Sequence, residues 1–366
     1  MKGIGMTHKE YWYWLVNIQN IGLKKIKAIL DYYGSPEDAF RASESSLKQI
    51  KNLKDKDIEN ISRTKNIDKV KKDYTNLINK NIYFVTVEDK EYPSKLKNIF
   101  DPPYGLYVRG KLPREDKIII SLVGARNCSD YGREVALKLS KDLASYGVQI
   151  VSGLASGIDG YAHRGALNAG GDTYGILGCG IDVCYPKENF SLYMDMVKQG
   201  GIISEYGPGV PPRAFQFPMR NRIISGLADG VLVVEAKEKS GSLITVDQGL
   251  EQGKNIYAVP GSIYNSLSEG CNNLIKMGAK IVTSPKDILE DFKYNFESSI
   301  GNSPLDIKLL EKKENIVYAC LSHLPMHMNE IAGETNINVD ELSEILLKLE
   351  LKKLVKEIRK NYFSCI

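Results

Sequence analysis

The sequence predicts an α/β protein in three parts: a helical N-terminal module, a central doubly wound parallel sheet, and a small C-terminal domain of helices closed by a ribbon. Three observations carry this. The apolar runs Ile118–Val123 and Val148–Val151 have the length of buried parallel strands, and each ends in a glycine-punctuated loop that opens a helix. Ahead of them apolar residues recur at helical spacing, and beyond residue 290 the pattern changes to short helices and one alternating hairpin.

The N-terminal module is expected over residues 1–65. It holds the aromatic stretch Tyr11-Trp12-Tyr13-Trp14-Leu15, followed by apolar positions Leu23, Ile26, Ile29 and Leu30 at helical spacing behind Gly22. Gly22 with these positions resembles the turn of a helix-hairpin-helix or sterile-alpha-motif-like unit, which can present backbone amides to phosphate. A small interaction module with solvated lysines is the preferred reading of this segment. The central domain is expected over residues 66–291. A lysine-rich helix from Asn66 to Asn81 leads to Ile82–Val87, the start of the sheet region, and Asp101-Pro102-Pro103 makes a rigid bend before Tyr104–Val108. A helix spans Tyr131 to Tyr146 between the two apolar strands. Residues 292–304 are polar and aperiodic and suit a linker. In residues 305–366, Met328–Ala332 and Val339–Leu351 have the spacing of a helix-turn-helix. Val355–Phe363 alternates as a ribbon with Lys360-Asn361 as its turn, so the domain reads as a winged helix. Acidic Asp340, Glu341, Glu344 and Glu350 on its second helix argue against major-groove reading and for a protein-contact or accessory role.

At 366 residues, 43% hydrophobic and 26% charged, the chain can bury a sizeable core. No apolar run approaches a membrane span and no signal-peptide region opens the chain, so a cytoplasmic protein without membrane contact is expected. The six cysteines form no C-x-x-C pair and read as reduced structural thiols. The net charge of +4 is unevenly spread: residues 1–110 carry the basic excess, 111–290 balance, and 291–366 lean acidic. A neutral central domain binds polyanions only through a local pocket of cations and backbone amides.

Candidate pocket residues lie on three loops. Gly124-Ala125-Arg126 follows a strand, which puts Arg126 where open α/β sheets bind ligands. Ser152-Gly153-Leu154-Ala155-Ser156-Gly157 leads into a helix, and its small residues would let a phosphate approach the amides at the helix start, although Asp159 in the first turn can claim those amides itself. Phe217-Pro218-Met219-Arg220-Asn221-Arg222 offers an aromatic face for a base and two guanidinium groups for phosphates.

Other chemistry finds less support. His323 and His327 have helical metal-ligand spacing, but Pro325 between them opposes a regular helix and no third ligand is evident beyond Glu330, so no metal is expected. His163 reads as structural rather than as a general base. There is no G-x-x-x-x-G-K-[ST] loop, and Gly175–Gly180 does not fit the dinucleotide fingerprint, so no nucleotide cofactor is expected.

Taken in order, Val123–Arg126, Ser152–Asp159 with Ala162-His163, Tyr185–Asn189, Phe217–Leu227, Ser240–Thr245, Ala258–Gly261 and Gly270–Ile275 resemble the bacterial DNA-processing protein A (DprA/Smf) family over most of the chain. One departure is Gly-Ala-Arg where the family usually has Gly-Ser-Arg, which removes a hydroxyl at Ala125. The resemblance implies a Rossmann-like central domain that binds single-stranded DNA without sequence preference. It implies DNA contacts at Gly124 and Arg126, at Ser152, Gly153, Ser156 and Gly157, and at Lys187 and Arg213. Further contacts are implied at Phe217, Arg220, Asn221 and Arg222, and at Ser240, Gly241 and Ser242. It also implies protection of incoming strands, loading of the RecA recombinase in natural transformation, a homodimer, and no covalent chemistry. The alternative is an enzyme. Ser240–Asp247 is the nearest counterpart here of the Pro-Gly-Gly-x-Gly-Thr-x-x-Glu loop of nucleotide phosphoribohydrolases, with Asp247 as a carboxylate, but it lacks the paired glycines and the glutamate.

Overall fold

The computed structural model describes residues 5–292, 311–321, 325–352 and 354–365, and the chain divides into two compact units, Met1–Phe296 and Glu297–Ile366. The first unit begins with helices α1 (His8–Val16), α2 (Leu23–Tyr33), α3 (Pro36–Arg41), α4 (Glu44–Leu47), α5 (Asp55–Thr64) and α6 (Ile67–Asn79). Thr7 starts α1 with a capping box to Glu10. The aromatic stretch on α1 has a definite task. Trp14 packs edge-on to Phe40 at 4.9 Å, Tyr13 meets Tyr74 of α6 at 5.5 Å, and Trp12 stacks on Tyr104 at 6.0 Å. Tyr13 also meets Phe84 of the first strand at 5.7 Å. One aromatic cluster therefore fastens the helical module, α6 included, to the edge of the sheet.

That sheet has nine strands: β1 (Tyr83–Thr86), β2 (Gly105–Gly110), β3 (Ile119–Val123), β4 (Gln149–Ser152), β5 (Thr173–Leu177), β6 (Gly201–Ser204), β7 (Gly230–Val233), β8 (Asn255–Ala258) and β9 (Lys280–Ile281). Their order is β1-β2-β6-β5-β4-β3-β7-β8-β9, and only β2 runs against its neighbours. The helices of this region are α7 (Ser94–Lys97), α8 (Asp130–Ser145), α9 (Ile158–Asn168), α10 (Phe190–Gln199), α11 (Gln216–Leu227), α12 (Gly241–Glu251), α13 (Glu269–Lys276) and α14 (Pro285–Leu289). β3 is buried along its whole length, which is why it reads as an unbroken apolar run. Its alternate side chains feed two cores. Ile119 and Val123 pack with Ile223, Ile224 and Leu227 of α11 and Val246 of α12, while Ile120 and Leu122 pack with α8 and α9 through Leu139, Leu143, Ile158 and Ala162. Helices on both faces make the domain Rossmann-like and doubly wound. From β3 the chain winds outward through β4, β5 and β6, then returns to place β7 against the other side of β3. The loops after β3 and β7 part at this reversal and open a crevice at the carboxyl edge of the sheet.

The second unit contains α15 (Lys312–Cys320), β10 (Met326–His327), α16 (Met328–Thr335), α17 (Val339–Leu351), β11 (Val355–Arg359) and β12 (Tyr362–Cys365), with the three strands in the order β10-β12-β11. Val317, Ile331, Leu342, Leu346, Leu349 and Phe363 form its core. Asn361 takes φ +62° in the ribbon turn, a conformation Asn tolerates. The unit is a winged helix with a short third strand that the sequence pattern does not reveal. Residues 293–304 of the expected linker lie outside the described residues, as does His323. His327 caps α16, its Nδ1 accepting from Asn329 N at 3.2 Å, so this imidazole has a structural role. Among the described residues no helix is long and apolar enough to cross a membrane.

His163 of α9 lies fully buried against β5. Thr173 Oγ1 donates to Ile150 O at 3.0 Å, so it accepts from His163 Nδ1 at 2.7 Å, and His163 Nε2 has no partner. Burial, with the positive charge of Arg220 nearby, depresses the imidazole pKa from 6.5 to about 3. The unfolded chain binds this proton more readily than the folded one, so the neutral form supports the fold above pH 6.5 and that support drains away as pH falls toward about 3. Denaturant titrations across that window are expected to show this decline, and His163→Asn is expected to flatten it.

Candidate nucleic-acid interface

The crevice holds a cavity of about 880 Å³, lined by Gly124, Ala125 and Arg126 after β3, by Lys237, Lys239 and Ser240–Ser242 after β7, and by Tyr185, Phe217, Pro218, Arg220 and Asn221. Backbone and side-chain ties hold the first two walls together. Ala125 N donates to Glu235 O at 2.8 Å, and the buried Glu235 carboxylate accepts from Ser129 N at 2.9 Å and from Ser129 Oγ. Ser129 in turn caps α8 through Gly132 N. Arg126 is thus carried on a loop pinned at both ends.

Arg220 forms the floor. Only 5% of it is exposed; Nη1 donates to Gly153 O at 2.8 Å and to Ile176 O, and Nε to Asn221 Oδ1 at 3.2 Å. Burial lowers its pKa to about 10, opposed by the Asp159 carboxylate, so the guanidinium stays charged at neutral pH. Above it lies the half-buried ring of Phe217, with the guanidinium carbons of Arg126 and Arg220 at 5.7 and 6.0 Å from the ring centre. Tyr185 flanks the same ring at 5.7 Å, tilted by 31°.

The glycine loop after β4 does something other than the sequence suggests. Gly153 N and Ala155 N donate to Asp159 Oδ2 at 3.0 and 3.4 Å, so the amides expected to meet a phosphate are already taken. Ser152 Oγ donates to Leu122 O at 2.6 Å and Ser156 Oγ to Glu188 Oε1 at 2.6 Å. The glycines are needed for packing. A Cβ on Gly153 would lie 2.6 Å from the Arg220 guanidinium, and one on Gly157, at φ +74°, would lie 2.3 Å from Ala125 O and Arg126 O. A side chain at Gly157 would therefore displace the Arg126 loop rather than shut out a ligand directly.

Arg222 is the clearest correction. The sequence sets it beside Arg220 as a second phosphate ligand, but two residues along a helix rotate a side chain by about 200°. Arg222 turns away from the cavity, 6% exposed, and donates through Nη2 to Glu205 Oε1 and Oε2 at 2.7 and 2.9 Å. Charge reversal at Arg220 or Arg222 consequently strikes the fold as well as any ligand contact. Lys187 and Arg213 are exposed on their loops and do not line the cavity. Gly124, Arg126, Phe217, Arg220, Asn221, Ser240, Gly241 and Ser242 are brought together as expected. Ser240 caps α12, accepting from Ser242 N at 3.4 Å, and the positive end of that helix faces the crevice. Asp247 is exposed and lies outside the cavity lining, which leaves the hydrolase alternative without its carboxylate. Tyr185, although part of a segment that carries the resemblance, is not among the site residues expected from the sequence, and neither are Lys237 and Lys239. The rule that singled out Arg126, a position just past a buried strand, applies equally to the lysines after β7.

Residues 83–293 match the profile of DNA recombination-mediator protein A, and residues 303–358 match that of the DprA winged helix domain. The chain belongs to the DNA-processing protein A (DprA/Smf) family. It is 46% identical over 208 residues to the DNA processing protein DprA of Bacillus subtilis, covering 57% of this chain and 70% of that protein. The crystallographic structure of DNA processing protein A from Streptococcus pneumoniae superimposes with a TM-score of 0.69 at 34% identity, covering 80% of this chain and 100% of that one. A second structure, concerned with the single-stranded DNA binding mode of the Helicobacter pylori protein, gives 0.53 at 28% identity, covering 58% of this chain and 97% of that one.

Arg222→Glu strands the Glu205 carboxylate against a like charge in a buried site. Chemical denaturation is expected to show a loss of about 3–5 kcal/mol. Arg126→Glu, with no ion pair to break among the described residues, is expected to leave stability within about 0.5 kcal/mol of wild type.

Proposed function

We propose that the crevice binds single-stranded DNA without sequence preference, with bases against the Phe217 ring and phosphates near Arg126, Lys237, Lys239 and the start of α12. The observation that carries this reading is the pairing of an aromatic face with cations that have no ion-pair partner among the described residues. Every base has a π-face and every nucleotide a phosphate, so such a site holds any sequence. The Helicobacter pylori relative, whose structure concerns its single-stranded DNA binding mode, supports the same reading.

In this proposal the protein is a cytoplasmic, non-catalytic DNA-processing factor. It protects incoming single strands and passes them to the RecA recombinase during natural transformation, acting as a homodimer. Gel shifts with single- and double-stranded oligonucleotides, with and without RecA, test the substrate and the hand-over together, and sedimentation tests the dimer.

Phe217→Ala is expected to weaken single-strand binding about tenfold, since base stacking contributes about 1–3 kcal/mol and 1.4 kcal/mol is a factor of ten. Arg126→Ala is expected to lower the slope of log affinity against log salt by about 0.7, the share of one phosphate contact on a single strand. Fluorescence anisotropy over a salt series reads both, and an Arg126→Ala slope equal to that of wild type would remove this arginine from the phosphate path.

A further inference from the structure

Among the described residues, Tyr185 is the one aromatic residue on the cavity wall besides Phe217. Nearly half of it, 46%, remains exposed, and its ring stands 5.7 Å from that of Phe217. Its loop is held firmly. Asn189 Nδ2 donates to Leu154 O and Ala155 O at 3.1 Å each, Cys184 Sγ donates to Pro186 O at 3.3 Å, and Glu188 accepts from Ser156 at 2.6 Å. Glu188 and Asn189 tie the segment just after Tyr185 to the loop after β4, and the Cys184–Pro186 bond spans Tyr185 itself, so the ring is placed beside Phe217 before any ligand arrives. A half-exposed aromatic fixed in this way is a poor core residue, because its exposed part gains nothing from burial, but a good preorganised contact.

We propose that Tyr185 is a second stacking residue, so that the cavity takes two adjacent bases of one strand, one against each ring. The proposal rests on the single-strand reading of the site and deepens it. A cavity of about 880 Å³ lies near the top of the roughly 300–1,000 Å³ range of ligand pockets, as a site for two bases requires. The ring centres stand 5.7 Å apart, a spacing that does not match the ~3.4 Å rise per nucleotide of a duplex strand. Adjacent bases must therefore part from one another to occupy both rings. A duplex, whose bases are stacked and paired, cannot do this without melting. Tyr185 thereby gives the site a preference for extended single strands that one ring alone would not impose.

The alternative is that Tyr185 only props the Phe217 ring. Both possibilities separate when the full-length protein is titrated with two labelled probes of equal length, oligothymidylate and the same deoxyribose-phosphate strand without bases. Tyr185→Leu keeps apolar bulk against Phe217 but has no π-face, and Tyr185→Phe keeps the π-face. Tyr185→Leu is expected to bind oligothymidylate about tenfold more weakly, in the range of one lost base stack, and Tyr185→Phe to bind it like wild type. On the abasic strand all three are expected to bind alike. An equal loss on both probes would overturn the proposal in favour of the propping role. Undiminished oligothymidylate binding by Tyr185→Leu, with Phe217→Ala still weakened, would overturn it while leaving the single-strand reading intact. Wild-type protein that bound both probes equally would remove base stacking from the site altogether and overturn the proposal with it.

Discussion

The buried guanidinium of Arg220 is the constraint on which the rest of the site depends. A charge taken out of water must be surrounded by acceptors, and these come from the ends of two strands and from the helix that carries it: Gly153 O, Ile176 O and Asn221 Oδ1, with Asp159 opposite. Each partner then fixes something else. Asp159 reaches Arg220's surroundings by folding over the loop after β4, which consumes the amides of Gly153 and Ala155. Gly153 has no side chain because the guanidinium occupies that space. Phe217, one turn earlier on α11, is left lying beside the charge on the crevice wall. Removing Arg220 would thus empty the floor, free an acid and unseat the ring in one step.

Much of the fold was legible because it follows from hydrophobic periodicity. Ile118–Val123 could be read as a doubly covered strand from its unbroken apolar run, and the winged helix from the change of pattern beyond residue 290. The strand order and the placing of α6 against α1 were not legible, since they depend on contacts such as Tyr13 with Tyr74 between residues far apart in the chain. The site was read in part for the same reason. Arg126 and Phe217 sit at positions whose geometry is local, just past a strand and at a helix start. Arg222 was misread although helical rotation alone separates it from Arg220; no local signal reveals Glu205 as its partner. For the glycine loop, Asp159 was the visible warning, and it proved decisive.

The central region has no net charge, yet the crevice is lined by cations. The structure resolves this through pairing rather than composition. Glu205 is spent on Arg222, Asp159 on backbone amides and Arg220, Glu235 on Ser129, and Glu188 on Ser156. These four acids are engaged within the protein, while Arg126, Lys237 and Lys239 have no ion-pair partner among the described residues; Glu238, between the two lysines, stays exposed beside them. An anion approaching the carboxyl edge of the sheet meets a local field that the overall balance conceals.

Under the proposed function, this division would let the site be both firm and indifferent to sequence. Groups that would read a base by hydrogen bonding have to be rigid, buried and unpaired before the ligand arrives, and the Nη1 and Nε donors of Arg220 in the floor are instead taken by Gly153 O, Ile176 O and Asn221 Oδ1. What remains available is flat aromatic surface and mobile surface charge, neither of which distinguishes one base from another. The satisfied floor supplies the rigidity and the two unsatisfied features supply the contact. On the proposed reading, sequence tolerance would follow from the closed Arg220 network rather than from any looseness in the cavity.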